Sequence, residues 1–179
     1  MKMTSLFRSA CALTIVVTLA ALTGCASQLT QRDMTPAPMQ LAKHHPQSVS
    51  LTALPPPSAD AAATAATMTE LRAALAAAIS ESKAFANVKP EGGEYQLTVQ
   101  IFNEQHPSFG ISFTSKIEMG WTLKRADTGT VVWQEAIKSE HTTGGSEAFA
   151  GAERVKMAIA GAIRKNISLG LSRIDTLSL

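Results

Sequence analysis

The sequence predicts an α+β fold. It is a two-layer sandwich in which an antiparallel sheet of about four strands carries two helices on one face, in the order β-α-β-β-β-α. Three observations carry this. Residues 95–102 and 109–125 alternate apolar and polar side chains, as strands with one wet face do. Residues 58–82 and 144–174 instead repeat apolar side chains at spacings of three and four, as helices with one buried stripe do. At the end of the second alternating run lies "RADTGT", whose Asp127 and Gly129 are turn formers.

The chain opens with "MKMTSLFRSACALTIVVTLAALTGCAS". Lys2 and Arg8 form a basic head, and from Ala10 to Leu22 every residue is apolar or Thr. This run is short of the about 20 apolar residues that span a bilayer. With small residues after it, it reads as a secretion signal, residues 1–24. Leu22-Thr23-Gly24-Cys25 resembles the lipobox of bacterial lipoproteins. The resemblance implies cleavage before Cys25, diacylation of its thiol and acylation of the new N-terminus. Several chains make a stable anchor where one does not. Ala26, where an Asp would signal inner-membrane retention, points to the outer membrane with the domain facing the periplasm.

Without residues 1–24, 155 of the 179 residues remain. Their 14 Lys and Arg balance 14 Asp and Glu, since Lys2 and Arg8 leave with the signal. No clustered basic excess remains for nucleic acid or anionic lipid. Cys11 also leaves and Cys25 is the anchor, so no disulfide or cysteine metal site is expected, and a core must supply the stability.

Residues 25–46 carry Pro36, Pro38 and Pro46 and show no periodicity. They read as the lipidated Cys followed by a flexible tether with a reach of roughly 25 Å. Residues 47–179 are expected to form the globular domain. Val49, Leu51 and Ala53 alternate with Ser and Thr in a weak first strand ended by Pro55, Pro56 and Pro57. The first helix follows, with Ser58 or Thr67 as caps and a stripe of Met68, Leu71, Leu75, Ala78 and Ile79. Phe85 and Val88 read as plugs at a corner, and Gly92-Gly93 as a turn.

In the second strand Tyr95, Leu97, Val99 and Ile101 share one face. In the third, Phe109, Ile111, Phe113, Ile117, Met119, Trp121 and Leu123 share one parity. Seventeen strand residues would run to roughly 56 Å at about 3.3 Å each. That is longer than such a domain is wide, so either Gly110 or Ser115 bends the chain or the Phe109–Phe113 end overhangs the core. An overhanging end makes Phe109 and Phe113 candidate partner-binding residues. "VVWQEAIKS" returns as the hairpin partner, with Trp121 and Trp133 as core aromatics. Glu135 shares the inward parity, and a bulge or an edge position accounts for a carboxylate there. The last helix has Ser146 or Thr143 as cap, Glu147 in its first turn, and Val155, Ile159, Ile163, Ile167 and Leu171 every four residues.

The run from "EYQLTVQI" through "DTGTVVW" to the C-terminal helix resembles small periplasmic α/β lipoproteins of the YajG type. Lipoproteins that assist lipopolysaccharide assembly or activate penicillin-binding proteins are similar in layout. The resemblance implies a module that binds other proteins, and it supplies no site residue.

Catalytic and metal motifs are absent from the sequence: no H-E-x-x-H, G-x-S-x-G or P-loop occurs. His44-His45 lack a third ligand, and His106 and His141 have no Cys or carboxylate at helical ligand spacing. "TTGGSE" reads as a glycine turn into a helix cap rather than an anion cradle. No cofactor and no catalytic residue are expected. The expected function is a non-catalytic binding or assembly-accessory lipoprotein of the envelope, with a membrane and an envelope protein as partners. The alternative is a periplasmic ligand-binding protein or hydrolase, which an enclosed pocket with converging polar groups would favour.

Overall fold

The computed structural model describes residues 28–106 and 110–179. The signal segment 1–24, Cys25 and Phe109 lie outside the described residues. The elements are α1 (Gln31–Met34), β1 (His45–Leu54), α2 (Ala61–Ser82), β2 (Phe85–Lys89), β3 (Tyr95–Gln105), β4 (Phe113–Arg125), β5 (Val131–Thr143) and α3 (Gly151–Ile174). The architecture is α+β, with one sheet of strand order β2-β1-β3-β4-β5.

The sheet has five strands and is mixed, which corrects the expectation of an antiparallel sheet of about four. β1 pairs parallel with β2 on one side and with β3 on the other, while β3, β4 and β5 form the antiparallel meander. The extra strand is β2, read from sequence as a corner. It has five residues and buries only Phe85, too little to show a period. The parallel pairing follows from α2, which returns the chain to the end where β1 began. The link 90–94 then crosses β1. A Cβ at Gly93 would lie 2.6 Å from the Val49 carbonyl carbon and 2.9 Å from the Tyr95 oxygen, so only glycine fits there. Gly92 takes φ +67° beside it.

The inward parities form the core. Val49, Leu97, Val99, Met119, Trp121 and Leu123 are at most 1% exposed, under Leu71, Leu75 and Ile79 of α2 and Ile167 and Leu171 of α3. α2 is capped by Asp60, which accepts from the Ala62 and Ala63 N–H groups at 2.8 and 3.1 Å, in place of Ser58 or Thr67. The alanine-rich start is therefore helical. α3 starts at Gly151 with no side-chain cap, because Thr143 is still in β5 and Glu147 turns back onto the Gly144 N–H at 2.6 Å. β4 starts at Phe113 and has 13 residues. The chain turns at Gly110, at φ +138°, and Ser115 stays in the strand.

Residues 29–43 also depart from expectation: the segment read as a free tether is seated on the domain. Thr30 and Asp33 form a reciprocal capping box around α1. Met34 is fully buried, and Leu29, Met39 and Leu41 pack against the core. The Gln31 N–H donates to Glu70 of α2 at 2.5 Å. Lys156 of α3 pairs with the Asp33 carboxylate at 3.0 Å, and Arg164 donates to the Asp33 carbonyl. At the far end the Lys43 N–H donates to Asp175 at 2.6 Å, and the Lys43 ammonium to the Thr176 and Leu177 carbonyls at 3.0 and 2.8 Å. Its fifteen residues lack a period because single anchors hold them. The domain boundary accordingly moves from 47 to the start of this strap.

Candidate partner-binding face

Helices α2 and α3 cover one face of the sheet, and among the described residues no helix lies on the other. Its side chains fall in rows fixed by strand register. Thr52, Thr98, Thr122 and Gln134 make one row, and Leu54, Gln100, Gly120 and Ala136 the next. Apart from Leu54 these side chains are small or polar, so most of the face is flat and wet, as the alternation predicts.

Phe102 interrupts it. The β3–β4 register shifts between Ile101 and Asn103, a bulge that places Phe102 and Asn103 together on the outer face. The Phe102 ring lies over Gly120, where a Cβ would collide with it, and is 48% exposed. Leu54 and Val132, each 38% exposed, share this face. A half-exposed aromatic on a backbone platform is the kind of anchor that partner interfaces use.

Beyond Phe102 the outer positions are charged. Lys116 faces Glu140 and Lys138 faces Glu118, each pair at 3.8 Å. With Asn103, Gln105 and Lys165 they border an open groove of about 470 Å³. At the end of β3 the His106 ring holds the Glu104 carboxyl below the usual carboxylate range through a hydrogen bond, while burial opposes the shift. The other His106 nitrogen lies 3.3 Å from Ser115 Oγ.

Strand β5 is an edge, but α3 covers part of it. Asn166 Nδ2 donates to the Ile137 carbonyl at 2.8 Å. Such cover blunts edge-to-edge pairing.

The residues singled out from sequence fall as follows. Phe113 is 6% exposed, with the Arg154 guanidinium 5.5 Å from its ring centroid. It is the inner end of β4 and not an overhang, which leaves it little surface for a partner. Glu135 is turned inward on the edge strand and pairs with Arg173 of α3 at 3.0 Å, which accounts for a carboxylate on the core parity. His44 Nδ1 contacts the Lys83 carbonyl at 2.9 Å, and the buried His45 contacts the Ile174 carbonyl at 3.1 Å. His141 lies against Gly161 of α3. Among the described residues no three His, Cys, Asp or Glu side chains cluster to hold a metal.

Sequence reasoning missed two residues. Phe102 had a signal, since it breaks the alternation just after Ile101. Asn166 had one too, as a polar residue on the apolar stripe between Ile163 and Ile167.

The sequence matches no family model and no curated protein. Solved structures do resemble the fold. Protein XCC0632 from Xanthomonas campestris, of family DUF330, superposes with TM-score 0.56 at 14% identity over 78% of this chain and 89% of its own. The hypothetical protein CT253 from Chlamydia trachomatis gives 0.51 at 9% identity over 73% and 96%. Lipoprotein GNA1162 from Neisseria meningitidis gives 0.41 at 12% over 72% and 99%. At these identities the likeness to the first two shows a shared fold.

Proposed function

We propose that the protein is a periplasmic lipoprotein, anchored through Cys25 in the outer membrane, that binds another envelope protein on its helix-free sheet face and performs no catalysis. The carrying observation is the Phe102 ring laid half-exposed on Gly120 in the middle of that face. The lipobox and the resemblance to YajG-type lipoproteins support the address. Among the described residues no helix is long and apolar enough to cross a membrane.

Site-specific photo-crosslinking in intact cells tests it. A photoreactive residue at Gln134 or Thr52, on the open face, is expected to give one discrete protein adduct that Phe102→Ala weakens. The same group at Glu81, on α2, is expected to give none. Adducts that form equally from both faces, or that ignore Phe102→Ala, would refute the assignment.

A further inference from the structure

The seated strap changes what the anchor does. If residues 25–46 were free, the domain would float at the end of a roughly 25 Å tether. Leu29 is instead already packed on the domain, so only residues 26–28 separate it from Cys25. The four steps from Cys25 to Leu29 span about 14 Å at most when extended. On the lipidated-Cys25 reading, the bilayer surface lies that close to Leu29.

The structure also says which part of the domain is nearest. The strap begins on the helical layer, where Gln31 meets Glu70 of α2 and Asp33 meets Lys156 of α3. Lys156 is five residues into α3, about 7.5 Å from its first residue along the axis. Of the two ends of α3, the N-terminal one is the nearer to the Asp33–Lys156 pair. It displays the two most exposed large apolar side chains among the described residues: Phe149, fully exposed, and Ile111, 81% exposed.

These two are held in place. Ile111 lies on Gly145, where a Cβ would come within 2.6 Å of it. Arg154 Nη1 donates to the carbonyls of Gly145, Ala148 and Phe149 at 3.3, 2.9 and 3.4 Å. Its guanidinium also covers the Phe113 ring. The turn that carries Phe149 is thus fastened to the helix it precedes.

We infer that the strap makes the lipid anchor a short leash, which presses the α3 N-terminal end onto the bilayer so that Ile111 and Phe149 enter the lipid interface. Apolar side chains held within reach of a bilayer partition into its interface, and a covalent anchor supplies the high local concentration. The occupant is the lipid surface itself. The helical layer then lies toward the membrane and the sheet face away from it, where a partner has access. This inference rests on the lipoprotein reading.

The mature lipidated protein offers a clean probe. Cys11 departs with the signal and the Cys25 thiol is acylated, so Phe149→Cys or Ile111→Cys provides the one free thiol. Each is labelled with an environment-sensitive fluorophore in phosphatidylethanolamine–phosphatidylglycerol vesicles, with Gln134→Cys on the sheet face as the reference. Labels at 149 and 111 are expected to brighten and to be quenched by nitroxide-bearing lipids, whereas the label at 134 is not. A flexible Gly-Ser insert of about twenty residues after Ser27 is expected to abolish most of that quenching, because it lengthens the leash. If the protein floats with the vesicles and all three labels behave alike, the contact is refuted while the anchor stands. Protein that does not float refutes the anchor, and the contact with it.

Discussion

Trp121 Nε1 donates to Asn166 Oδ1 at 2.9 Å, and neither residue has any exposed surface. The rest of the amide is also satisfied: Nδ2 donates to the Ile137 carbonyl at 2.8 Å and to Ser139 Oγ at 3.2 Å. Ser139 donates onward to the Ala162 carbonyl at 2.8 Å. A buried network that is complete in this way fixes α3 on the sheet in one register, and the same low dielectric makes a broken one costly. Asn166→Leu leaves the indole N–H and the Ile137 carbonyl without their partner. It is expected to cost about 2–6 kcal/mol, at about 1–3 for each of the two unsatisfied buried groups. In a Trp121→Phe background the loss is expected to be clearly smaller, because the orphaned donor is gone. Urea unfolding of the four proteins checks the coupling; additive losses would contradict it.

The two faces of β4 differ in their tolerance to truncation. Trp121 is wholly buried and Lys116 is 60% exposed. Trp121→Ala is expected to cost about 3–5 kcal/mol. Lys116→Ala should remain within about 0.5 kcal/mol. Equal urea midpoints would reverse the assignment of the faces.

Two glycines are set by close approach. A Cβ at Gly170 would overlap the indole of Trp121, and one at Gly93 would overlap the backbone of β1. In the middle of a helix, alanine gains about 1 kcal/mol over glycine, but neither a buried ring nor a strand backbone can yield. Gly170→Ala and Gly93→Ala are each expected to lower stability, by about 1–3 kcal/mol. Gly151→Ala meets nothing nearer than 3.9 Å and is expected to be neutral or slightly stabilising. Melting temperatures of the three variants report this directly.

The strap is expected to loosen in acid. For Asp33, burial raises the carboxyl pKa. The Thr30 N–H and Lys156 lower it more, so it lies below its ordinary value. The Lys43 and Ala42 N–H groups likewise lower that of Asp175. A carboxyl whose folded pKa is depressed adds stability above its unfolded pKa of about 4, and loses it as pH falls through the folded value. Both groups therefore release the strap below about pH 4. Cleavage within residues 35–44 by an acid-active protease should rise as pH drops from about 5 to 2. The double variant Asp33→Asn, Asp175→Asn should be cleaved already at the upper end. No difference between the variant and the native chain there would show that other contacts hold the strap.

Much of the fold was legible because it depends on periodicity. Alternation placed Trp121, Met119 and Leu97 inward, and spacing of three and four placed Leu75 and Ile167 under the sheet. What alternation cannot carry is strand direction: Val49 and Leu51 read the same whether β1 runs with β3 or against it. β2 was too short to register. The strap escaped because its seat depends on single anchors, Met34 in the core and Asp33 and Lys43 at charged contacts, and none of these recurs with a period. Its capping pair, Thr30 and Asp33, was the one local signal. The proposed binding face was half legible: the wet parity marked it, while Phe102 needed the bulge to be seen.

The anchor is the premise on which address and orientation depend, and the mass of the N-terminal peptide from the membrane fraction tests it most directly. That peptide is expected to begin at Cys25 and to carry the mass of a diacylglyceryl group and one further acyl chain. Cys25→Ser should yield protein without that mass, released from membranes by a high-salt wash. A native peptide that retains residues 1–24, or that begins at an unmodified Cys25, would contradict lipid anchoring.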